Sequence, residues 1–205
     1  DGIFDYQDGD AELALSLYLE GAYTGSGMRT DLRALGLLPS TDTYGDGEEL
    51  KPELLERTGS GAPVDWVWLE LRDATDAAEV IDGRACLVLA NGDVVMADGT
   101  APVIFPQAPR GNYYVMATHR NHLGVMTATA HPMGQGVLRL DLRSDAVATY
   151  GSDAQRIIGG TRVLWAGDVN GDGVLRYTGA SNDRDPILAR IGGSVPTATV
   201  SGYFD

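Results

Sequence analysis

Leu13, Leu15, Leu17 and Leu19 alternate with Ala14, Ser16, Tyr18 and Glu20, the two-residue period of a strand with one buried face. Residues 64–72 are apolar on both faces at their centre, as expected of a central strand. Residues 85–90 and 93–97 flank Asn91-Gly92, a pair suited to the positive φ angles of a two-residue hairpin turn. Further strands are predicted at 102–105, 113–119, 123–128, 137–142 (Leu138, Leu140 and Leu142 inward) and 162–166. Helical signals are few. Residues 28–38 suit a short helix with Leu32 and Leu35 on one side, and 39–63 read mostly as a long loop. Near the end, Asp185 suits a cap for a short helix. Pro186 falls in its first turn, Ile187, Leu188 and Ile191 form its apolar side, and Gly192-Gly193 stop it. Short strands at regular spacing predict an all-β fold, an antiparallel β-sandwich.

Between the last strand and that helix lies Asp168-Val-Asn-Gly-Asp-Gly-Val174. Asp168, Asn170 and Asp172 alternate, so a tightly turning backbone can aim three oxygens at one centre; Gly173 supplies the bend and the Val174 carbonyl a fourth oxygen. An all-oxygen set without His or Cys suits Ca²⁺ rather than zinc or copper. The twelfth position, where a bidentate acid closes such loops, is Gly179. The closing ligand is therefore expected from Asp183 or Asp185.

Composition narrows the picture. Among 205 residues, 29 acids outnumber 15 bases, a formal charge of −14 that opposes phosphate neutralisation and so excludes a nucleic-acid partner. No apolar run is long enough for membrane insertion. The absence of a charged-then-apolar leader suits a mature or excised segment. The lone Cys86 sits in an apolar run, where a buried, inert thiol is expected.

Catalysis finds little support: no Gly-x-Ser-x-Gly elbow, phosphate loop or His-Glu-x-x-His occurs. Asp65 and Glu70 lie five apart on a strand and face opposite ways, so they make no glycosidase pair. His119 and His122, three apart, also point to opposite faces unless a turn lies between them, and no fourth zinc ligand is evident. A polar network at a strand corner, with His119, His122 and Asn121 satisfying backbone groups, is the simpler expectation. Tyr113 or Tyr114 suits a hydroxyl tie to a neighbouring strand. Trp66, Trp68 and Tyr18 offer rings for stacking on sugars, in competition with burial in the core.

In combination, Leu19-Glu-Gly-Ala-Tyr, Met28-Arg-Thr-Asp-Leu, Gly36-Leu-Leu-Pro, Val64-Asp-Trp-Val, His119-Arg-Asn-His-Leu, Gly167-Asp-Val-Asn-Gly-Asp-Gly and Asn182-Asp-Arg-Asp-Pro-Ile-Leu resemble a module of very large secreted bacterial surface proteins. These are hemagglutinin-like and adhesin-like chains, often with sorting signals of the type IX secretion kind. The resemblance covers roughly residues 13–203 and implies an extracellular, non-catalytic β-sandwich followed by a dockerin-like calcium segment. Dockerins carry two such loops and this chain shows one, so cohesin binding is not carried over. On this reading residues 1–10 are a linker or the tail of a preceding module, 11–166 the sandwich, and 167–205 the dockerin-like calcium loop with its short helix. The expected function is that of a calcium-stabilised structural or adhesive module at the cell surface, its partners neighbouring modules, copies of itself or polysaccharide. A carbohydrate-binding module is one alternative. A self-assembling filament or surface-layer subunit is another, with the strand-like tail 195–203 adding to a neighbour's sheet.

Overall fold

A computed structural model describes residues 9–193, 195, 197–200 and 202; most of the expected N-terminal linker lies outside them. The fold is mostly β-structure. One sheet has the order β4 (Val94–Val95), β3 (Val80–Leu89), β2 (Pro63–Asp73), β6 (Gly111–His119), β7 (His122–Met126), with β8 (His131–Met133) also on β6. Every pairing in it is antiparallel. A smaller sheet runs β5 (Val103–Phe105), β1 (Ala11–Ser16), β9 (Leu138–Asp141). Its β1–β9 pair is parallel, with Leu13 opposite Leu138 and Leu15 opposite Leu140, a departure from the all-antiparallel expectation. β10 (Arg156–Ile158) and β11 (Thr161–Val163) form a separate hairpin.

The alternation read in the sequence decides the packing. Leu13, Leu15, Leu17 and Leu19 are all buried, in one core with Val67, Leu69 and Leu71 of β2 and Val115 and Ala117 of β6. The opposite face of β2 and β3, with Trp66, Ala85 and Leu87, is covered by Leu38, Leu50 and Leu54. Residues 39–58 are thus less a loop than a lid: α2 (Pro52–Leu55) drives Leu54 into a second core, a burial that stabilises by roughly 1.5–3 kcal/mol. This explains why β2 is apolar on both faces. The helix expected over 28–38 is a single turn, α1 (Asp31–Ala34), and Leu35 is exposed. Cys86 is fully buried, and burial pushes its thiol far above the ordinary range.

The 89–93 turn differs from expectation in one detail. Only Gly92 has positive φ; the Gly92 N–H donates to the Leu89 carbonyl and the Leu89 N–H to the Asp93 carbonyl, a wider turn with glycine at its left-handed position. A Cβ on Gly92 would lie 2.7 Å from the Leu17 carbonyl oxygen, so the turn is pressed directly onto the chain leaving β1. Among the described residues no helix is long and apolar enough to cross a membrane. The described residues of the tail (195, 197–200 and 202) form no strand, in contrast to the expectation for 195–203.

Candidate functional site

The chain leaves the sheets along residues 164–167. Leu164 bridges Leu19, the Leu123 N–H donates to the Trp165 carbonyl, Ala166 bridges His122, and the Gly167 N–H donates to the Asn121 carbonyl. The Glu20 carboxylate accepts the Ala166 N–H at 2.9 Å and pairs with Arg156. Residues 168–183 therefore start from a pinned root.

Within that segment the turns occur where the glycines stand, Gly171 at φ 68° and Gly173 at φ 76°. Asp168 is 4 % exposed. Its Oδ2 accepts the Gly173 N–H at 3.0 Å, whereas its Oδ1 is buried with no hydrogen-bond partner among the described residues. Burial raises the Asp168 carboxyl above its ordinary range; the Gly173 N–H opposes this, and the nearby Asp183 and Asp172 charges add to it. Asn170 and Asp172 lie at the surface. The Asn170 Oδ1 accepts the Asp172 N–H at 2.9 Å, and the Asp172 Oδ1 accepts the Val174 N–H at 2.9 Å. Asp183, 7 % exposed, staples the two ends: its Oδ1 accepts the Val169 N–H at 3.0 Å and its Oδ2 the Arg176 N–H at 2.7 Å. Burial pushes its carboxyl up, but the N–H donors prevail and hold it below the ordinary carboxylate range. Arg176 threads the loop, donating to the Ala180 and Ser181 carbonyls and standing 3.6 Å from Asp172.

Of the two candidate closing acids, Asp183 is the one hydrogen-bonded to the loop backbone. Asp185 belongs to α3 (Arg184–Arg190), where its carboxylate accepts from Asn182 at 2.8 Å and from Arg184. Asp185 does not cap the helix: Asp183 precedes it without a side-chain cap, and the Asp185 N–H is instead accepted by Asn182 Oδ1 at 2.9 Å. The pair is closed by the Asn182 side-chain amide, which donates to the Asp185 carboxylate, rather than by the backbone N–H of a capping box. The apolar side of α3 is not buried: Ile187 is half-exposed, and Leu175 and Tyr177 nearby are also exposed. Among the described residues, no group of three or more His, Cys, Asp or Glu side chains is placed to hold a metal ion.

The second polar cluster lies at the β6–β7 turn. His119 and His122 are paired across the hairpin, so they share a face. The Gly21 N–H donates to His122 Nε2 (3.4 Å), which leaves His122 Nδ1–H to donate to His119 Nδ1 (2.9 Å), and His119 Nε2–H to donate to Asp65 (3.1 Å). Arg120 adds a donor to the same Asp65 oxygen at 3.0 Å. All four ring nitrogens are thus engaged inside this network. Burial first, then the neighbouring His119 and Arg120, pushes His122 down to about 2. At Asp65 burial opposes ionisation, yet His119 and Arg120 hold the carboxyl below its usual range. The sequence pointed to the histidines and Asn121 but not to Asp65 as their anchor; the signal was one acid inside the apolar run of β2.

The stacking residues are placed otherwise than a sugar site needs. Trp66 is fully buried with its Nε1–H on the Pro39 carbonyl, and Tyr18 is buried against Tyr23 with Arg143 over its ring. Trp68 is partly buried, bonded to Glu70 and packed on Tyr44, and it lies so close over Gly83 that a Cβ there would meet its ring at 2.3 Å. Tyr18 also belongs to the other core, so the three rings share no face. The Tyr113 hydroxyl donates to the Pro109 carbonyl at 2.6 Å, tying β6 to its own lead-in rather than to a neighbouring strand as expected. Compared with known proteins, the chain matches no family model, no curated protein and no solved structure.

Proposed function

We propose that residues 168–183 bind one Ca²⁺ and that the chain is a non-catalytic, calcium-stabilised module of a secreted or cell-surface bacterial assembly, a β-sandwich carrying a dockerin-like loop and helix. The observation that carries this reading is the buried Asp168 Oδ1, without a hydrogen-bond partner among the described residues and near the Asp172 and Asp183 carboxylates. Buried acceptors are otherwise almost always satisfied, and a hard cation is the partner that an all-oxygen surround suits. Asp168, Asn170, Asp172, the Val174 carbonyl and Asp183 would hold the ion. Without it, three like charges repel one another and their oxygens rest on N–H groups and Arg176, so an open ion-free geometry is expected. The ion would join the pinned root at Gly167 to the start of α3.

The adhesive part of the proposal rests on the resemblance to bacterial surface proteins and on Leu175, Tyr177 and Ile187, exposed apolar side chains suited to a neighbouring module or a second copy. The burial of Trp66 and Tyr18 gives the carbohydrate alternative no support.

Calorimetric titration of chelator-treated protein with Ca²⁺ tests the reading. Extracellular modules bind at ~10⁻⁴–10⁻³ M. A hundredfold excess over Kd contributes about 2.7 kcal/mol, a rise in Tm of roughly 5–10 °C. Asp168→Asn should abolish both the heat and the rise. No heat and no shift in the unaltered chain would sink the proposal.

A further inference from the structure

The β6–β7 corner faces a cavity of about 250 Å³ that the proposed ion site does not use. Its wall is partly aliphatic and partly polar. Leu19, Ala22, Leu32 and Val64 form the first part. The second is made by His122, Asn121 and two ion pairs, Arg29 with Asp31 at 3.2 Å and Arg120 with Asp65 at 3.0 Å. The arginines on the wall are thus matched by carboxylates, and burial holds His122 well below its ordinary range, uncharged. We propose that this cavity binds one neutral sugar ring, a hexose unit standing free or at the end of a glycan.

Two acceptors on the wall call for hydroxyl donors. At Asn121 the main chain, not the side chain, ties the corner: its N–H rests on His119 Nδ1 at 3.4 Å and its carbonyl takes the Gly167 N–H at 2.9 Å. The Asn121 side-chain Oδ1 is buried with no hydrogen-bond partner among the described residues, a state that costs stability until something donates to it. Because the residue lines the cavity, a turn of its amide about χ2 brings that oxygen to a bound hydroxyl. The second acceptor, His122 Nε2, is held only by the Gly21 N–H at 3.4 Å, longer than an ordinary N–H bond, so a closer donor can take its lone pair. Gly21 keeps that approach open. It is exposed, and a Cβ there would stand 3.8 Å from the His122 ring, an ordinary contact, so no clash demands glycine at this position.

A hexose has the surface that matches this division: C–H groups on its faces for the aliphatic wall, hydroxyls round its edge for Asn121 and His122, and no charge to upset the two ion pairs. The cavity is smaller than the ~300–1,000 Å³ of pockets for drug-sized ligands, and so takes a single ring. Trp66, Trp68 and Tyr18 take no part, and none of the residues proposed to hold the ion lines the cavity. The site therefore stands whether or not an ion binds.

The test is saturation-transfer difference NMR on the whole chain, in chelator and in excess Ca²⁺, with millimolar glucose, galactose and mannose, their methyl glycosides, and glucuronate. At least one hexose should receive saturation, equally in both buffers, and glucuronate less than glucose. A response from the methyl glycoside assigns the site to the end of a glycan; a response from the free sugar alone assigns it to a free hexose. Asn121→Ala, which discards an amide oxygen with no partner among the described residues, and Gly21→Leu, which fills the cavity, should each abolish the signal with Tm unchanged. Silence from every hexose, a stronger response from glucuronate than from glucose, or an undiminished signal in Gly21→Leu or in folded Asn121→Ala would overturn the proposal.

Discussion

Two acidic, glycine-rich turns in this chain look alike in sequence and differ in where their N–H groups go. In the 42–49 turn, Asp42 Oδ1 accepts from the Tyr44 and Asp46 N–H groups and its Oδ2 from those of Gly47 and Glu48, while its own N–H closes the turn on the Glu48 carbonyl. Asp46 in turn accepts the Ala85 N–H at the free edge of β3, and Glu48 pairs with Arg84. Asp42, Asp46 and Glu48 thus all have protein partners. In the 168–183 loop, Asp168 keeps one oxygen on Gly173, while the other is buried without a partner among the described residues. Asp42 is accordingly held below the ordinary carboxylate range, its N–H donors outweighing burial, whereas Asp168 is raised above it. The acid of the first turn is saturated by its own backbone; that of the second leaves room for the proposed cation.

The strongest test of that distinction lies at a third carboxylate, Asp65, which is saturated by side chains. Asp65→Ala removes the acceptor of His119 and Arg120 inside the corner. Leaving a buried cation without its anion costs about 3–5 kcal/mol, read as a fall in the denaturation midpoint at constant slope. A loss under about 1 kcal/mol would mean that saturation by side chains matters little here.

Asp42→Ala probes saturation by backbone. It strands four N–H groups, of which water can reach some, and an effect of about 2 kcal/mol is expected by analogy with a lost cap. The loss should be the same with Ca²⁺ and with chelator, because Asp42 has no lone pair left to offer. If Asp42→Ala removed the calcium-dependent rise in Tm, the division between closed and open turns would fail.

The histidine corner sharpens the comparison through pH. His122 is neutral when folded, depressed to about 2 by burial first, so the unfolded chain, with an ordinary value of 6.5, binds the extra proton. Stability is complete above about pH 6.5 and falls below it by on the order of 1 kcal/mol per unit. Asp65, depressed when folded, adds a further loss below its ordinary value of 3.8. Denaturation midpoints across pH 5–7 should show this slope, and His122→Gln should flatten it. An equal slope in His122→Gln would assign the acid sensitivity elsewhere.

Much of this was legible in the sequence, for reasons that the residues make plain. Alternation in 13–19 and in β2 reports burial directly, and both were realised as cores. The lid over Trp66 was not legible, because Leu38, Leu50 and Leu54 are scattered among turn residues and follow no period. The parallel β1–β9 pair was hidden too, since register across more than 120 residues leaves no local trace. At the candidate site, oxygen spacing singled out Asp168, Asn170 and Asp172 as candidates. It could not rank Asp183 over Asp185, because that choice depends on Asn182 claiming Asp185 for the helix.

The smallest expected effect separates the two turns most sharply. Asp42 is depressed when folded, so its contribution is present above its ordinary 3.8 and lost as pH falls through the folded value. Asp168 is raised, so its contribution is present below 3.8 and lost as pH rises through the folded value. At neutral pH in chelator the Asp168 charge therefore opposes folding, and Asp168→Asn should be slightly more stable than the parent chain. In excess Ca²⁺ the same substitution should be less stable, because it discards the ion. Asp42→Asn should be destabilising in both buffers. Paired melts of the two variants would show one sign reversal and one constant sign. A sign that failed to reverse at Asp168 would mean that its buried oxygen has a partner other than a cation.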